Sequence, residues 1–344
     1  MRQQLLAFGE DIFAKMKPQD PFSWSNTPRE ASVRATCEGL GFARQGGMTP
    51  TPDILCIGAV LWDIIGRAPV AMPFGADVPG RISRLPGGVA MNIAMTLRRF
   101  GLRPALLSAI GRDAEGQELL TACTGMGLIT DFIHRSDDLP TDRYLAIEGA
   151  EGMVAAVADA RALEAAGARI LAPLADGRLG SAARPWAGMI AVDGNLTAMM
   201  LADMAGSPLF AAADLRVAPA SPGKADRLVP LLAHPGATLY VNLQEAGILC
   251  GRVFDGAEAA VEGLLAQGAA RALVTDGPRP CAMGARGQGV ISATPPAVRV
   301  RRFTGAGDTF MAAHIVAERH GADARAALDA ALRAAADYIS GEIP

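Results

Sequence analysis

Residues 301–310 read R-R-F-T-G-A-G-D-T-F. Gly305, Ala306 and Gly307 lead directly into Asp308, and the stretch 308–320 that follows has the apolar spacing of a helix. Small residues just ahead of a helix leave backbone N–H groups bare. An anion can then approach closely, and the helix N-terminus favours its charge. Asp308 itself has two readings. A carboxylate in a first turn caps a helix with no ligand involved. Beside a bare anion cradle, it also stands where a base would be needed. A cap requires no glycine on both sides, so partners elsewhere in the chain have to decide.

Outward from that helix the pattern is regular. Strand-length apolar runs occur at 53–59, 103–109, 188–193, 214–218, 237–242, 271–276, 281–285 and 289–293. Helical patterns occur at 90–100, 114–125, 197–205, 224–233, 243–250, 256–268, 308–320 and 323–340. This alternation predicts a mostly parallel sheet covered on both faces, a three-layer α/β/α sandwich. Two segments break it. Residues 66–86 are rich in Gly and Pro, and residues 142–158 read as a hairpin turning at Gly149–Gly152. Both could supply strands of a small β lid outside the main sheet, with an ordinary edge hairpin as the alternative. Residues 1–47 carry breakers at Lys17-Pro18, Asp20-Pro21 and Asn26-Thr27-Pro28 behind a possible amphipathic helix at 3–16. They are expected to be an N-terminal appendage, with Met48 as a natural start and a single domain over 48–344.

The bulk numbers fit that picture. Half of the 344 residues are apolar and only 5% aromatic, so a large core must be built mostly of Ala, Leu, Val and Ile. Thirty-two basic against 35 acidic residues give a net charge of −3, with no basic run. No nucleic-acid or membrane partner is expected, and any site for an anion must be local. Cys37, Cys56, Cys123, Cys250 and Cys281 show no metal or redox spacing, so free thiols in a reducing compartment are expected. No apolar run reaches the ~18 residues of a membrane span, and no secretory signal is evident, so a cytoplasmic location is expected.

Competing phosphate motifs fail. The sole Gly-Lys pair, Gly223-Lys224, is followed by Ala225 rather than Ser or Thr, and no G-x-G-x-x-G follows the first strand. Four other stretches have the chemistry to accompany Asp308. In I-L-C-I-G-A-V-L-W-D-I-I-G (54–66), Asp63 lies just beyond a buried strand, where its carboxylate could accept two hydrogen bonds from a vicinal diol or merely cap a turn. In L-P-G-G-V-A-M-N (85–92), Gly87 and Gly88 precede a helix carrying Asn92, which both donates and accepts. In Y-V-N-L-Q-E (240–245), Asn242 and Glu245 are spaced either for a capping box or for organising Mg²⁺ and its waters. In A-L-V-T-D-G (272–277), a strand ends at Thr275 and Gly277, which could border a nucleotide.

The order of these stretches along residues 53–340 resembles the ribokinase-like family of sugar and nucleoside kinases. The G-G…N and G-A-G-D stretches are its two specific motifs. Within the family, R-Y-L-A-I-E-G-A-E-G-M-V-A-A-V-A-D (143–159), V-D-G-N-L-T (192–197) and A-P-A-S-P-G-K-A-D-R-L (218–228) make the chain most similar to the pseudouridine kinases. The resemblance implies an ATP- and Mg²⁺-dependent kinase acting on the 5′-hydroxyl of a nucleoside, with pseudouridine favoured. The alternatives are another nucleoside or a free sugar such as ribose or fructose, and a non-catalytic binding protein on the same fold. It implies Gly305, Ala306 and Gly307 as the anion hole and Asp308 as the base. Asp63, Gly87, Gly88 and Asn92 would hold the ribose, with Asn195 and Lys224 lining the cleft. Asn242, Glu245, Thr275 and Gly277 would border the nucleotide, with Glu245 reaching Mg²⁺ through water. Dimers through the lid are also implied.

Two positions depart from the pattern. Arg302 stands where many members carry an acidic residue in a loop that helps bind a monovalent cation, so its charge is expected to replace that cation. Met91 stands where pseudouridine kinases usually carry arginine. Trp62, beside Asp63, is read as a packing residue of the lid or core, with stacking on a base as the alternative.

Overall fold

The computed structural model describes residues 51–302 and 304–342; the appendage expected at 1–47 lies outside the described residues. In chain order the elements begin with β1 (Ile54–Ile57), β2 (Leu61–Arg67), β3 (Arg81–Gly87), α1 (Val89–Arg99), β4 (Pro104–Leu107), β5 (Ala109–Gly111) and α2 (Ala114–Gly125). There follow β6 (His134–Ser136), β7 (Arg143–Gly149), β8 (Gly152–Asp159), α3 (Arg161–Ala166) and α4 (Ala172–Ala175). The C-terminal half holds β9 (Met189–Asp193), α5 (Ala198–Gly206), β10 (Asp214–Ala218), β11 (Ala237–Asn242), α6 (Leu243–Cys250) and α7 (Ala257–Ala266). It closes with β12 (Arg271–Asp276), β13 (Arg279–Ala285), β14 (Ile291–Ala293), α8 (Ala306–Arg319) and α9 (Ala324–Ser340).

The main sheet has eight strands in the order β14-β13-β12-β11-β10-β9-β1-β4. Pairing is parallel from β4 through β12 and antiparallel only at β13 and β14. Buried parallel strands are apolar on both faces, and alternate residues serve different layers. Leu55, Ile57, Leu239 and Val241 join the core under α5, α6 and α7. Tyr240, with the opposite parity, meets Phe310 and His314 of α8. Burying each such Leu or Ile contributes roughly 1.5–3 kcal/mol.

A second sheet has the order β3-β2-β7-β8. Its β7–β8 hairpin closes at Gly149 and Gly152, the expected turn. Three expectations need correction. Asp63 is not in a loop beyond a strand; it lies in the middle of β2, paired with Leu85 of β3 and Tyr144 of β7. The apolar run had hidden a break. Gly58 has φ 148°, so β1 ends at Ile57 and the chain turns into a new strand. The run 103–109 likewise divides into β4 and β5. Residues 224–233 do not form an α-helix. A 3-10 helix spans Pro222–Leu231, because Pro230 inside it cannot donate to an α-helical ladder.

α8 is fixed to the sheet by a buried polar network. Arg216 of β10 donates to Asp214 (2.6 and 2.7 Å), to the Tyr240 hydroxyl (3.0 Å) and to Glu318 of α8. Arg271 of β12 also donates to Glu318, and the Tyr240 hydroxyl bonds His314 Nδ1 at 2.9 Å. Burial holds the His314 imidazole down at about 3, so it stays neutral. These bonds set the axial position of α8, and hence of the carboxylate in its first turn.

Candidate active site

From β1 the chain goes to β4 on one side and later returns to β9 on the other. The strand order reverses there, and open α/β sheets place ligands beyond the carboxyl ends of strands at such a point. A cleft of about 580 Å³ lies in that position, within the usual range for small-molecule sites.

Its floor is the N-terminus of α8. Gly305 is the N-cap with φ 90°, and no side chain caps the helix. A Cβ there would come within 2.6 Å of the Tyr338 hydroxyl. Gly305, Gly307 and Asp308 line the cleft, whereas Ala306 begins the helix without lining it. Asn92 Nδ2 donates to Asp308 Oδ2 at 2.9 Å. Burial raises the Asp308 carboxyl to about 7; the Asn92 bond opposes this, and the carboxylates of Asp193, Asp63 and Glu245 add to it. The ordinary low pKa that a carboxylate base would bring from solution is therefore not what the fold supplies.

One wall comes from the second sheet. Asp63 lines the cleft, and burial raises its carboxyl to about 6. Gly87 does not line the cleft but makes room for Asp63, since a Cβ there would stand 2.0 Å from Asp63 Oδ2. Gly88, the N-cap of α1, has φ 97°, and a Cβ there would meet the Ala59 carbonyl at 2.4 Å. Gly88 and Asn92 both face the cleft.

The opposite side holds Asn195 and Lys224, joined by a bond from Lys224 Nζ to Asn195 Oδ1 at 2.7 Å. Further along the sheet, Asn242, Glu245 and Thr275 line the cleft; Gly277, in the β12–β13 turn, does not. Asn242 and Glu245 form a capping box, with Asn242 N donating to Glu245 Oε2 and Glu245 N to Asn242 Oδ1, both at 2.9 Å. Both residues thus cap α6 while facing the cleft.

Several residues were not foreseen. Tyr144 and Met153 of the hairpin and Tyr240 of β11 also line the cleft. Asp193, at the end of β9, is fully buried and accepts three backbone bonds. These come from Ala59 (2.7 Å) and Ala90 (2.9 Å) to Oδ2, and from Asn195 (2.6 Å) to Oδ1. An acidic residue at the end of a buried strand, in V-D-G-N, was the available signal.

Trp62 is buried. Its ring lies under the Arg84 guanidinium at 4.1 Å and its Nε1 donates to the Glu115 carbonyl at 3.0 Å, so it packs. Met91 is also buried, against Cys123 at 3.7 Å. Arg302 stacks on the Tyr338 ring at 4.7 Å, and the Tyr338 hydroxyl donates to the Thr304 carbonyl at 2.9 Å.

Known proteins share this fold. A carbohydrate kinase from Agrobacterium tumefaciens superposes with a TM-score of 0.67 at 26% identity, over 82% of this chain and 89% of that one. Arabidopsis thaliana ribokinase complexed with ribose and ATP superposes with a TM-score of 0.65 at 20% identity, over 84% and 93%. The pseudouridine kinase of Escherichia coli is 33% identical over 120 residues, which is 35% of this chain and 38% of that protein. The matched region thus spans little more than a third of that relative's length. The profile of the pfkB family carbohydrate kinase matches residues 51–340, and the chain belongs to that family.

Proposed function

We propose that the protein is an ATP-dependent kinase of the 5′-hydroxyl of a nucleoside, pseudouridine first among the candidates. The observation that carries this is the Asn92–Asp308 pair at an uncapped helix N-terminus, with Asp63 across the same cleft. Phosphoryl transfer needs positioning, charge stabilisation and a base for the hydroxyl proton. Gly305 and Gly307 offer backbone N–H groups to the transferred phosphoryl, with Ala306 beginning the helix behind them. Asp308 accepts the hydroxyl proton as the new P–O bond forms. Asp63 and Asn92 hold the ribose, with Gly88 letting it lie against the backbone, and Asn195 and Lys224 close the far side. Thr275 and Asn242 border the nucleotide, and Gly277 allows its turn.

Among the described residues no cluster of three acidic or thiol or imidazole groups could hold a metal directly. Glu245 is one carboxylate on the cleft, with Oε2 engaged in its cap. That fits Mg²⁺, which keeps most of its waters and binds chiefly through substrate phosphates. When bound, it would neutralise phosphate charge. The relative named as a pseudouridine kinase supports the choice of nucleoside. The test is an ATP-consumption assay with pseudouridine, uridine, adenosine, ribose and fructose. Turnover highest with pseudouridine is expected. A preference for free ribose or fructose would reject the nucleoside, and no turnover with any would reject the kinase.

Asp63→Ala is expected to weaken nucleoside affinity far more than ATP affinity, and Gly87→Ala to imitate it by displacing the Asp63 carboxylate. Equal losses for both ligands in titration calorimetry would assign these residues to folding alone.

Tyr338 and Arg302 bear on cation use. A loop carbonyl that a monovalent cation could ligate is instead bonded by Tyr338, whose ring carries the Arg302 guanidinium. Exchanging K⁺ for a bulky organic cation at constant ionic strength should leave turnover unchanged. A steep rise with K⁺, together with an Arg302→Asp variant of normal rate, would sink this reading.

We also propose that the second sheet is a lid and a dimer contact. By strand register, Ile82, Leu145 and Val157 share the face of that sheet opposite Asp63 and Tyr144. Ile82 and Val157 are 77% and 65% exposed, an apolar patch of the kind that marks association sites. Val157→Glu should yield a monomer in analytical ultracentrifugation where the parent sediments as a dimer. A parent that sediments as a monomer, or a variant that stays dimeric, would reject this contact. Among the described residues no helix is long and apolar enough to cross a membrane. The described cysteines are free, which supports a reducing, cytoplasmic setting.

A further inference from the structure

A second cavity, of about 330 Å³, shares no lining residue with the cleft. That volume is at the small end of the range for small-molecule sites. Its wall carries Arg112, His134, Arg135, Asp137, Arg169 and Arg178. Four guanidiniums in one cavity contrast with a chain whose net charge is −3.

Their partners show which charges are spent. Arg112 pairs with Asp137 at 2.6 Å, and Arg178 with Asp176 at 2.7 Å. Among the described residues Arg135 and Arg169 bond only carbonyls: Arg135 Nη2 donates to Gly111 (2.7 Å), and Arg169 donates to Ala165 (2.7 Å) and Ala166 (3.1 Å). The paired carboxylates offset two of the four guanidiniums, and Asp113 lies close enough to act on Arg135, so a smaller positive charge remains. In addition, His134 Nε2 and Arg135 Nε are shielded from solvent and have no hydrogen-bond partner among the described residues. Buried polar atoms of folded proteins are seldom left that way, but these two are closed to solvent, so a ligand in the cavity would meet the two side chains through their other atoms.

We propose that this cavity binds the phosphate group of a small phosphate monoester. A monoester with a second pKa of about 6 is mostly a dianion at pH 7, opposite in sign to the charge that remains. Its three oxygens suit the forked donors of arginine better than the two of a carboxylate. The binding unit comprises Arg135, Arg169 and His134, with the Arg112–Asp137 and Arg178–Asp176 pairs at its edge. Burial, then Arg169 and Arg112, hold the His134 imidazole below its ordinary value, and Asp137 opposes them. A bound dianion adds negative charge beside the ring, so the imidazole should then protonate at higher pH. This inference does not depend on the kinase reading, because its residues and its readout lie outside the cleft.

The experiment follows the His134 imidazole resonances of the full-length chain by NMR while ribose 5-phosphate, inorganic phosphate or ribose is added. Saturable shifts with both phosphate compounds, none with ribose, and a raised His134 pKa in the bound state are expected. Arg135→Gln and Arg169→Gln should each weaken binding roughly tenfold, with unchanged far-ultraviolet circular dichroism. Arg169 lies at the surface, so its variant keeps the test decisive if Arg135→Gln fails to fold. Resonances that do not respond, that respond equally to ribose, or that respond with full affinity in Arg169→Gln would overturn the proposal.

Discussion

Asp308→Asn is expected to lower the turnover rate by about 10² to 10⁴, the usual loss when a positioned base is removed. Its ATP affinity should stay within a few-fold, because the helix N-terminus and its glycines are untouched. Asparagine matches the shape of aspartate and can still accept the Asn92 amide proton at the Oδ2 position, 2.9 Å away in the parent. What it lacks is the ability to take up a proton. A variant with near-normal turnover would remove Asp308 from the mechanism, and one that no longer binds ATP would assign the residue to nucleotide binding or to the fold of the helix start.

On the proposed mechanism the same carboxyl should set the pH dependence. With burial raising it to about 7, Asp308 is largely protonated, and so inactive as a base, below that pH. The value of kcat/KM, which reports the free enzyme, should therefore rise with pH through about 7. A carboxylate with an ordinary pKa would leave the profile flat across that range. The sign follows from the elevated value: deprotonation creates the active form, so activity is lost on the acid side.

Much of this was readable before any coordinates, and the part that was not has a physical reason. β10, β11, β12, α2 and α6 have the bounds read from the sequence. Strands buried on both faces must be continuous apolar runs, and helix patterns between them have few alternatives. The Gly305–Asp308 stretch was legible because its chemistry is local. β3, by contrast, reads R-I-S-R-L-P-G and is mostly exposed, so no apolar run announces it. Asp63 lines the cleft but lies within β2 rather than beyond a strand, since the break at Gly58 depends on φ rather than on hydropathy. The capping box of Asn242 and Glu245 and their place on the cleft coexist, where spacing alone offered them as rivals. Asp193 was passed over because what it does is non-local. Its partners Ala59 and Ala90 are 134 and 103 residues away.

Asp193→Ala should therefore cost more stability than any other single change near the cleft. Three N–H donors, two of them buried and one partly so, would lose their acceptor, at about 1–3 kcal/mol for each left unpaired, so a loss of roughly 3 kcal/mol or more is expected in urea unfolding. Those donors belong to the turn after β1, the first turn of α1 and the loop after β9. Through them Asp193 sets the positions of Gly88, Asn92 and Asn195 together. Gly58 belongs to the same arrangement, since a Cβ there would stand 2.4 Å from the Asp193 carboxylate. Asp193→Asn should be milder, because one amide oxygen can keep the two bonds made by Oδ2 and only the Asn195 bond is lost. It also removes a negative charge that helps raise Asp308, so the acid limb of the kcat/KM profile should move to lower pH. A change below about 1 kcal/mol for Asp193→Ala would show that the loops hold without it. An unmoved acid limb in Asp193→Asn would show that this neighbouring charge has no part in setting the titration of Asp308.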